Sequence, residues 1–582
     1  MKKFIILLLC VILTLPFSAC KKDVDDPIAS DPTKEPSASA SQEPSAPPRE
    51  TPAPTEEASP EPLNYVFHDA DFETAFRKTY KLSGDIKTAS LSAFTELELE
   101  NAGLKDISDI AAFKNLEEIS LSGNRISVLE PLAGLSGLTE LDLSSNEAAD
   151  LNALSGLVNL KSLDLSDNNI TELSPLKQLD KLEELDLSFN YGLNDINPLS
   201  KIKTLRKLDL SGAYLISDIL PLSKLTGLTA LNLSEISAKD ISALRNLKSL
   251  QKLYIGNLNT DACTVCAVSD WSPLAELSDL RELYINTNSA LAAAAARIVK
   301  LTKLEKLSIS FYDEPESLLP LAQLPALKEL QVTQSGLIDT EIIASFTNIE
   351  KLDLSINEIS DLVPLSGLTK LTSLNISQNN VSDINPLSQL KNLTELDLHG
   401  NDIEDISPLA GLTSLKELNF NFNRVEDISP LEGLNRLETL SLSGNTVDDL
   451  TPISGLTKLT FLNLAQTGSN DLAPLGGLSG LKTLVLFGNL INDISPLTAL
   501  KELETLRLQD NLISDLSPLA DLTELLELNI RNNNLDSTCT LDPLYGLDML
   551  DFVYITGQNE GFSLSNEQLK TLQAELPYTF IK

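Results

Sequence analysis

The stretch LTELDLHGNDIEDISPLAGLTS, Leu393 to Ser414, decides how this chain folds, because it recurs. Leu396 and Leu398 alternate with outward residues, the period-two mark of a strand with one buried face. Asn401 is polar in an apolar frame. An amide there must bond the main-chain groups of the bend, since a buried unpaired one costs ~1–3 kcal/mol. Pro408, just before Leu409, ends the extended geometry and fixes a tight return segment. At Leu415 the pattern restarts after 22 residues. Counting outward in both directions gives 20 units, the first at Phe94 and the last at Leu525, with asparagine in the ninth place of 13.

One unit cannot bury its leucines alone, because ordering its backbone costs more than a single coil's apolar contacts return. Stacking closes the gap, and a chain of 582 residues, too long for one globular core, is what stacking produces. The ends then need covering. Asp71 to Tyr80 reads as a short amphipathic helix with Phe72, Ala75, Phe76 and Thr79 on one stripe. At the other end Ser565 and Gln568 suit a capping box, Leu569 and Leu572 face inward, and Pro577 follows.

The template LxxLxLxxNxIxDIxPLxxLxx resembles the leucine-rich repeat. Its Asp-Ile-x-Pro-Leu half, at Asp383–Leu387, Asp405–Leu409, Asp427–Leu431 and Asp493–Leu497, is similar to the bacterial internalin-like class. The resemblance covers about four-fifths of the chain. It implies an α/β solenoid: a curved parallel sheet on the concave face, with short 3₁₀, helical or extended segments on the convex side. It also implies a surface protein whose repeats bind a receptor on a host or neighbouring cell.

The N-terminus reads as an export signal, with Lys2 and Lys3 before the twelve-residue apolar run Phe4–Leu15. Phe17-Ser18-Ala19-Cys20 resembles a bacterial lipobox, with Phe17 where leucine is usual, and implies a diacylglyceryl group on Cys20. Residues 20–62, rich in Pro, Ser and Glu, cannot fold and suit a tether. The expected layout is signal peptide 1–19, tether 20–62, N-terminal cap 63–93, repeats 94–549 and C-terminal cap 550–582. The molecule is then extracytoplasmic, with the lipid anchor its one attachment to the membrane. A net charge of −39 repels phosphate backbones and anionic head groups, which disfavours nucleic acid as a partner.

Catalytic constellations are scarce. His68 and His399 are the two histidines and lie far apart, so no paired-histidine metal motif exists. No G-x-S-x-G elbow is present, and Gly476–Thr483 keeps repeat register without phosphate-loop spacing. Asp142, Asp164, Asp186 and Asp209 share one strand place in successive units and form a ladder of like charge. No cofactor, metal or enzymatic activity is expected. Cys263 and Cys266 sit in the long insertion between Leu250 and Leu280, as a local disulfide or as two thiols, and Cys539 stands alone.

Binding hot spots favour aromatics and arginine. Tyr254 and Tyr284 hold equivalent exposed strand places in neighbouring units, with Phe311 one unit on. Phe461, Phe487 and Arg507, joined by Arg531, make a second group near the C-terminal end. Ala290 to Ala296 replaces a tight return segment with a strong helix former. The expected ligand is a protein, on a host or neighbouring cell or in the envelope, held on the concave face. The alternative is a glycan stacked on the aromatics.

Cys20→Ala should release the protein into the medium or block its processing. A mutant that stays membrane-bound at the mature size, seen by fractionation and blotting, would overturn the lipobox reading.

Overall fold

The structure, a computed structural model, describes residues 64–256, 268, 270–286, 291–310 and 315–582. Cys20, the leader and tether, Cys263, Cys266 and Phe311 lie outside the described residues.

The alternating leucines form strands. Leu396 is the buried centre of Glu395–Asp397, and Leu374, Leu396 and Leu418 lie side by side in adjacent strands. Among the described residues 22 strands, from Glu96–Glu98 to Phe580–Ile581, build one sheet. Each pairs parallel with the next in chain order, as in Glu96–Glu98 with Glu118–Ser120 and Phe552–Tyr554 with Phe580–Ile581. The sheet thus runs two strands past the twenty counted from sequence. Leu550, Val553 and Ile555 are buried and continue the pattern after 25 residues, with valine and isoleucine in place of leucine.

The return segments explain the Asp-Ile-x-Pro-Leu half. The Asp405 carboxylate accepts the Ser407 N–H at 2.8 Å, Pro408 starts a 3₁₀ turn over Ser407–Gly411, and the Leu409 N–H donates to Ile406 O at 2.9 Å. These carboxylates are exposed and carry a bond that favours the ion. The Ser407 N–H holds the Asp405 carboxyl below the ordinary range, as the Ser495 N–H does for Asp493. The alanine run departs from this pattern as expected, forming an α-helix over Leu291–Ile298.

Asparagine locks one coil to the next. Asn401, 7% exposed, accepts the Val381 N–H on Oδ1 at 2.9 Å and donates through Nδ2 to Ile376 O at 2.9 Å and Leu398 O at 3.0 Å. Ile376 and Val381 belong to the preceding coil, so one side chain closes its own bend and its neighbour's. The same set of bonds recurs at Asn146, Asn168, Asn379, Asn423 and Asn511.

The first helix, Ala70–Thr79, starts at Asp69, whose carboxylate accepts the Phe72 N–H. Phe76 packs against Phe94 and Phe113 of the first repeat, with ring centroids 5.2 Å away in each case. Buried Asp109 ties this segment down. It accepts the Tyr65 hydroxyl at 2.7 Å and the main-chain N–H groups of His68 and Asp69 at 2.9 Å, with His68 Nδ1 at 2.8 Å. Burial alone would raise the Asp109 carboxyl, but these donors hold it below the ordinary range. The last helix, Asn566–Glu575, carries the Ser565–Gln568 capping box and buries Leu572.

Asn401→Ala strands the Val381 N–H where water cannot reach and takes one of two amide donors from each of Ile376 O and Leu398 O, which keep those of Asn379 and Asn423, so it should cost about 2 kcal/mol or more. Ser373→Ala, on the outward side of the sheet, should cost less than about 0.5 kcal/mol. Equal urea midpoints for the two variants would break the argument for the asparagine ladder.

Candidate binding face

Each three-residue strand buries its central leucine and points the flanking residues off the sheet, which lays two rows of side chains along the concave face. The rows change character along the solenoid. At the N-terminal end they are acidic: Glu96, Glu118 and Glu140 lie in one row, and Asp142, Asp164, Asp186 and Asp209 in the other. In the middle, unlike charges alternate. Lys207 meets Glu184 at 2.7 Å, Lys252 meets Glu282 at 3.0 Å, and Lys306 pairs with Glu329.

The aspartate ladder has a structural task. Asp164 and Asp186 each accept the N–H two residues on, from Ser166 at 2.9 Å and Ser188 at 2.8 Å, which turns the chain out of the strand. Asn232, next in the row, makes the same bond to Ser234 and also donates to Asp209 at 2.8 Å. Burial raises the Asp186 carboxyl to about 6 against the Ser188 bonds, and the neighbouring Asp209 and Asp164 add to the rise. Asp164 is raised for the same reasons. Among the described residues no group of three or more His, Cys, Asp or Glu side chains is placed to hold a metal ion.

The row that begins with aspartates continues through Asn232 into Tyr254 and Tyr284. Their rings stack with centroids 4.0 Å apart and planes 14° apart. The Lys252 ammonium lies 5.2 Å and 5.5 Å from the two centroids, and Lys306 lies 5.3 Å from Tyr284. Burial and the adjoining Tyr254 push the Tyr284 hydroxyl up, so it stays a donor, bonded to Glu282 at 3.2 Å. Burial opposes the Lys252 charge, but Tyr254 and Glu282 outweigh it and hold its pKa above the ordinary lysine value. Asp186, Lys207, Asp209, Lys252 and Tyr254 border a shallow groove of about 310 Å³.

The structure brings together only part of what the sequence grouped. Tyr254 and Tyr284 are in contact, but the residue in register beside Tyr284 is Ser308, not Phe311. Phe311 follows the last residue of that strand, Ser310, in sequence and lies outside the described residues. Phe461 and Arg507 stand in different rows, two strands apart, with Val485 beside Arg507 and Phe487 further along Val485's chain. Arg507 is engaged by Glu527 at 3.1 Å, and Arg531 covers the Tyr554 ring at 5.1 Å. Among the described residues no ring contact joins Phe461, Phe487 and Arg507. Cys539 is a free thiol, 3.2 Å from Ser514 O. Sequence reading passed over the two lysines above the tyrosines, although their alternation with glutamate was visible. It also passed over an exposed group, Phe189, Tyr191 and Tyr214.

A family model described as leucine-rich repeats, in two copies, matches residues 114–156, 158–201, 347–389, 391–433 and 479–521. Together with the stacked parallel strands, that decides the fold. The chain is a leucine-rich-repeat solenoid. The matched segments avoid residues 202–346, the stretch in which the asparagine ladder lapses.

Among solved structures, an internalin of Listeria monocytogenes is 28% identical over 74% of this chain and 98% of its own, with a TM-score of 0.30. Internalin C2 of the same organism is 31% identical over 37% of this chain and 83% of its own, with a TM-score of 0.29. TLR13 in complex with ssRNA13 is 20% identical over 81% of this chain and 89% of its own, with a TM-score of 0.51, a likeness of fold. No curated protein matches the chain by sequence. Among the described residues no helix is long and apolar enough to cross a membrane.

The raised Asp186 carboxyl has a consequence for this leucine-rich-repeat sheet. Its folded pKa of about 6 stands above an unfolded value of about 3.9, so protonation favours the fold. That contribution is complete below about pH 4 and lost as pH rises through 6. Asp186→Asn keeps the turn bond, as Asn232 does, and removes the charge. At pH 8 it should raise urea stability by ~1 kcal/mol, a figure discounted for partial exposure, with a smaller gain at pH 5.5. A gain equal at both pH values would show that the charge is not the cause.

Proposed function

We propose that this chain is an internalin-like cell-surface scaffold that binds a protein partner on its concave face, without catalysing a reaction. Leucine-rich-repeat solenoids serve as binding scaffolds, and this one has structural neighbours among Listeria internalins. The observation that carries the site is the stacked Tyr254–Tyr284 pair between Lys252 and Lys306. Flat aromatic area held rigid by stacking and topped by ammonium groups anchors a protein surface at little cost in conformational freedom. The alternating Lys252, Glu282, Lys306 and Glu329 then set register and orientation at the rim.

The absence of catalysis in this reading follows from how the carboxylates are used. The aspartates that line the face already accept the N–H groups closing their own turns, so they are spent on the fold. Attachment through Cys20, behind the tether of residues 20–62, completes the proposal and keeps the face outside the membrane.

The test pairs immobilised full-length protein with cell-surface protein extracts, scored by cross-linking and by affinity for whichever protein is captured. Tyr254→Ala with Tyr284→Ala should weaken that binding by ~2 kcal/mol or more while leaving the far-UV spectrum unchanged. Full affinity in the folded double variant would remove this site and pass the role to Phe461, Phe487 and Arg507.

A further inference from the structure

Two consecutive units, Leu182 to Leu205 and Leu205 to Leu228, span 23 residues where the regular repeat has 22. In both, the extra residue folds into the same tight turn just beyond the strand. The Leu193 N–H donates to Asn190 O at 3.0 Å, and the Ile216 N–H to Ala213 O at 3.0 Å. Each turn lifts a tyrosine out of the surface at the same place. Tyr191 and Tyr214 are 50% and 51% exposed, with centroids 5.6 Å apart and planes 30° apart. Phe189, 44% exposed, lies 6.4 Å from Tyr191. Gly212, at φ 73°, makes room for it, because a Cβ there would stand 2.7 Å from Phe189 Cδ1.

Main-chain bonds close both turns, so serine or asparagine would serve the fold as well as tyrosine. Three half-exposed rings, at ~150–250 Å² per aromatic, leave on the order of 300 Å² of clustered apolar surface. That is the scale at which surface patches mark interaction sites.

The border of the patch narrows the ligand. Hydrogen bonds between coils set Asp167, Phe189, Gly212 and Glu235 in one row, through Asp167 N–H to Ser188 O, Phe189 N–H to Ser211 O and Gly212 N–H to Ser234 O. Ser145 donates to Asp167 at 3.0 Å, and Ser237 to Tyr214 O at 2.5 Å. Carboxylates and hydroxyls beside the rings suit a ligand rich in hydroxyl groups and repel an anionic one. The rings stand half-exposed on raised turns and offer open faces to a ligand. Their spacing repeats with the coil, close to the advance of one pyranose residue along an extended polysaccharide.

We propose that Tyr191 and Tyr214, with Phe189 beside them, form a platform for a neutral, extended glycan whose successive sugar faces stack on the two tyrosines. The platform is distinct from the Tyr254–Tyr284 site and does not rest on it. Full-length protein is titrated with neutral hexasaccharides of the glucan, mannan, xylan and chitin series and with their disaccharides, followed by calorimetry. At least one hexasaccharide should bind, and its disaccharide more weakly. Tyr191→Ala with Tyr214→Ala should lower affinity about tenfold, the scale of two lost stacking contacts. Tyr191→Trp with Tyr214→Trp should retain binding, and Tyr254→Ala with Tyr284→Ala should leave it unchanged. Binding that survives the Tyr191→Ala, Tyr214→Ala change overturns the proposal. So does a panel in which no hexasaccharide binds while a polypeptide cross-links at these turns.

Discussion

The amide of a buried asparagine holds this solenoid together. A coil of 22 residues must leave its strand, bend sharply and return, and the bend exposes main-chain groups to the core. The side chain of Asn401 meets them from inside, taking one N–H and giving to two carbonyls across two successive coils. Leucine burial supplies most of the stabilisation, but it is non-directional and would tolerate slippage between coils. The amide fixes register because its three bonds are satisfied together in one alignment. The residue before the ninth place lies in the left-handed region whether or not asparagine follows, as at Gly212 and Glu235; Gly400 sits there at φ 65° without strain and Ile356 at φ 55° with it.

In the middle region the sheet changes. Ile236 and Ser335 replace the asparagine in two units there, and the strands Ala230–Ser234, Lys252–Gly256, Glu282–Asn286, Lys306–Ser310 and Glu329–Thr333 run five residues, although the unit of Ala213 keeps the three-residue strand Lys207–Asp209. The added pairs extend the register between neighbouring strands, as in Leu233 beside Ile255 and Ser234 beside Gly256. The longer strands extend the pairing beneath the stacked tyrosines.

The fold was legible because its signals repeat. Alternating leucines, the ninth-place asparagine and Asp-x-x-Pro-Leu each report one local constraint, and recurrence removes ambiguity from all three. The terminal helices were legible from single signals: Ser565 with Gln568, and the Phe72–Phe76 stripe. The strand at Phe552–Tyr554 was not, because Val553 and Ile555 satisfy the same core with different side chains. Contact between Tyr254 and Tyr284 followed from equivalent places in adjacent units. That equivalence does not extend to Phe311, which stands three places past Ser308 in its own unit. Phe189, Tyr191 and Tyr214 escaped notice because they lie off the strands, where the template assigns no role, although the 23-residue spacings marked those turns.

A repeated scaffold carries function most readily where its own requirements are weakest. Aspartates on the concave face and on the return turns serve the backbone, and their environments push them in opposite directions. The Ser407 N–H lowers the exposed Asp405 carboxyl, while burial among like charges raises Asp186. Tyrosine is required by neither the strand nor the turn, since the positions of Tyr254 and Tyr191 are filled elsewhere by Asp, Asn or Ser at no cost to the core. Large rings at such places, in contact with one another across neighbouring coils, are not required by what lies beneath them, and that is why the proposed binding sites are put there.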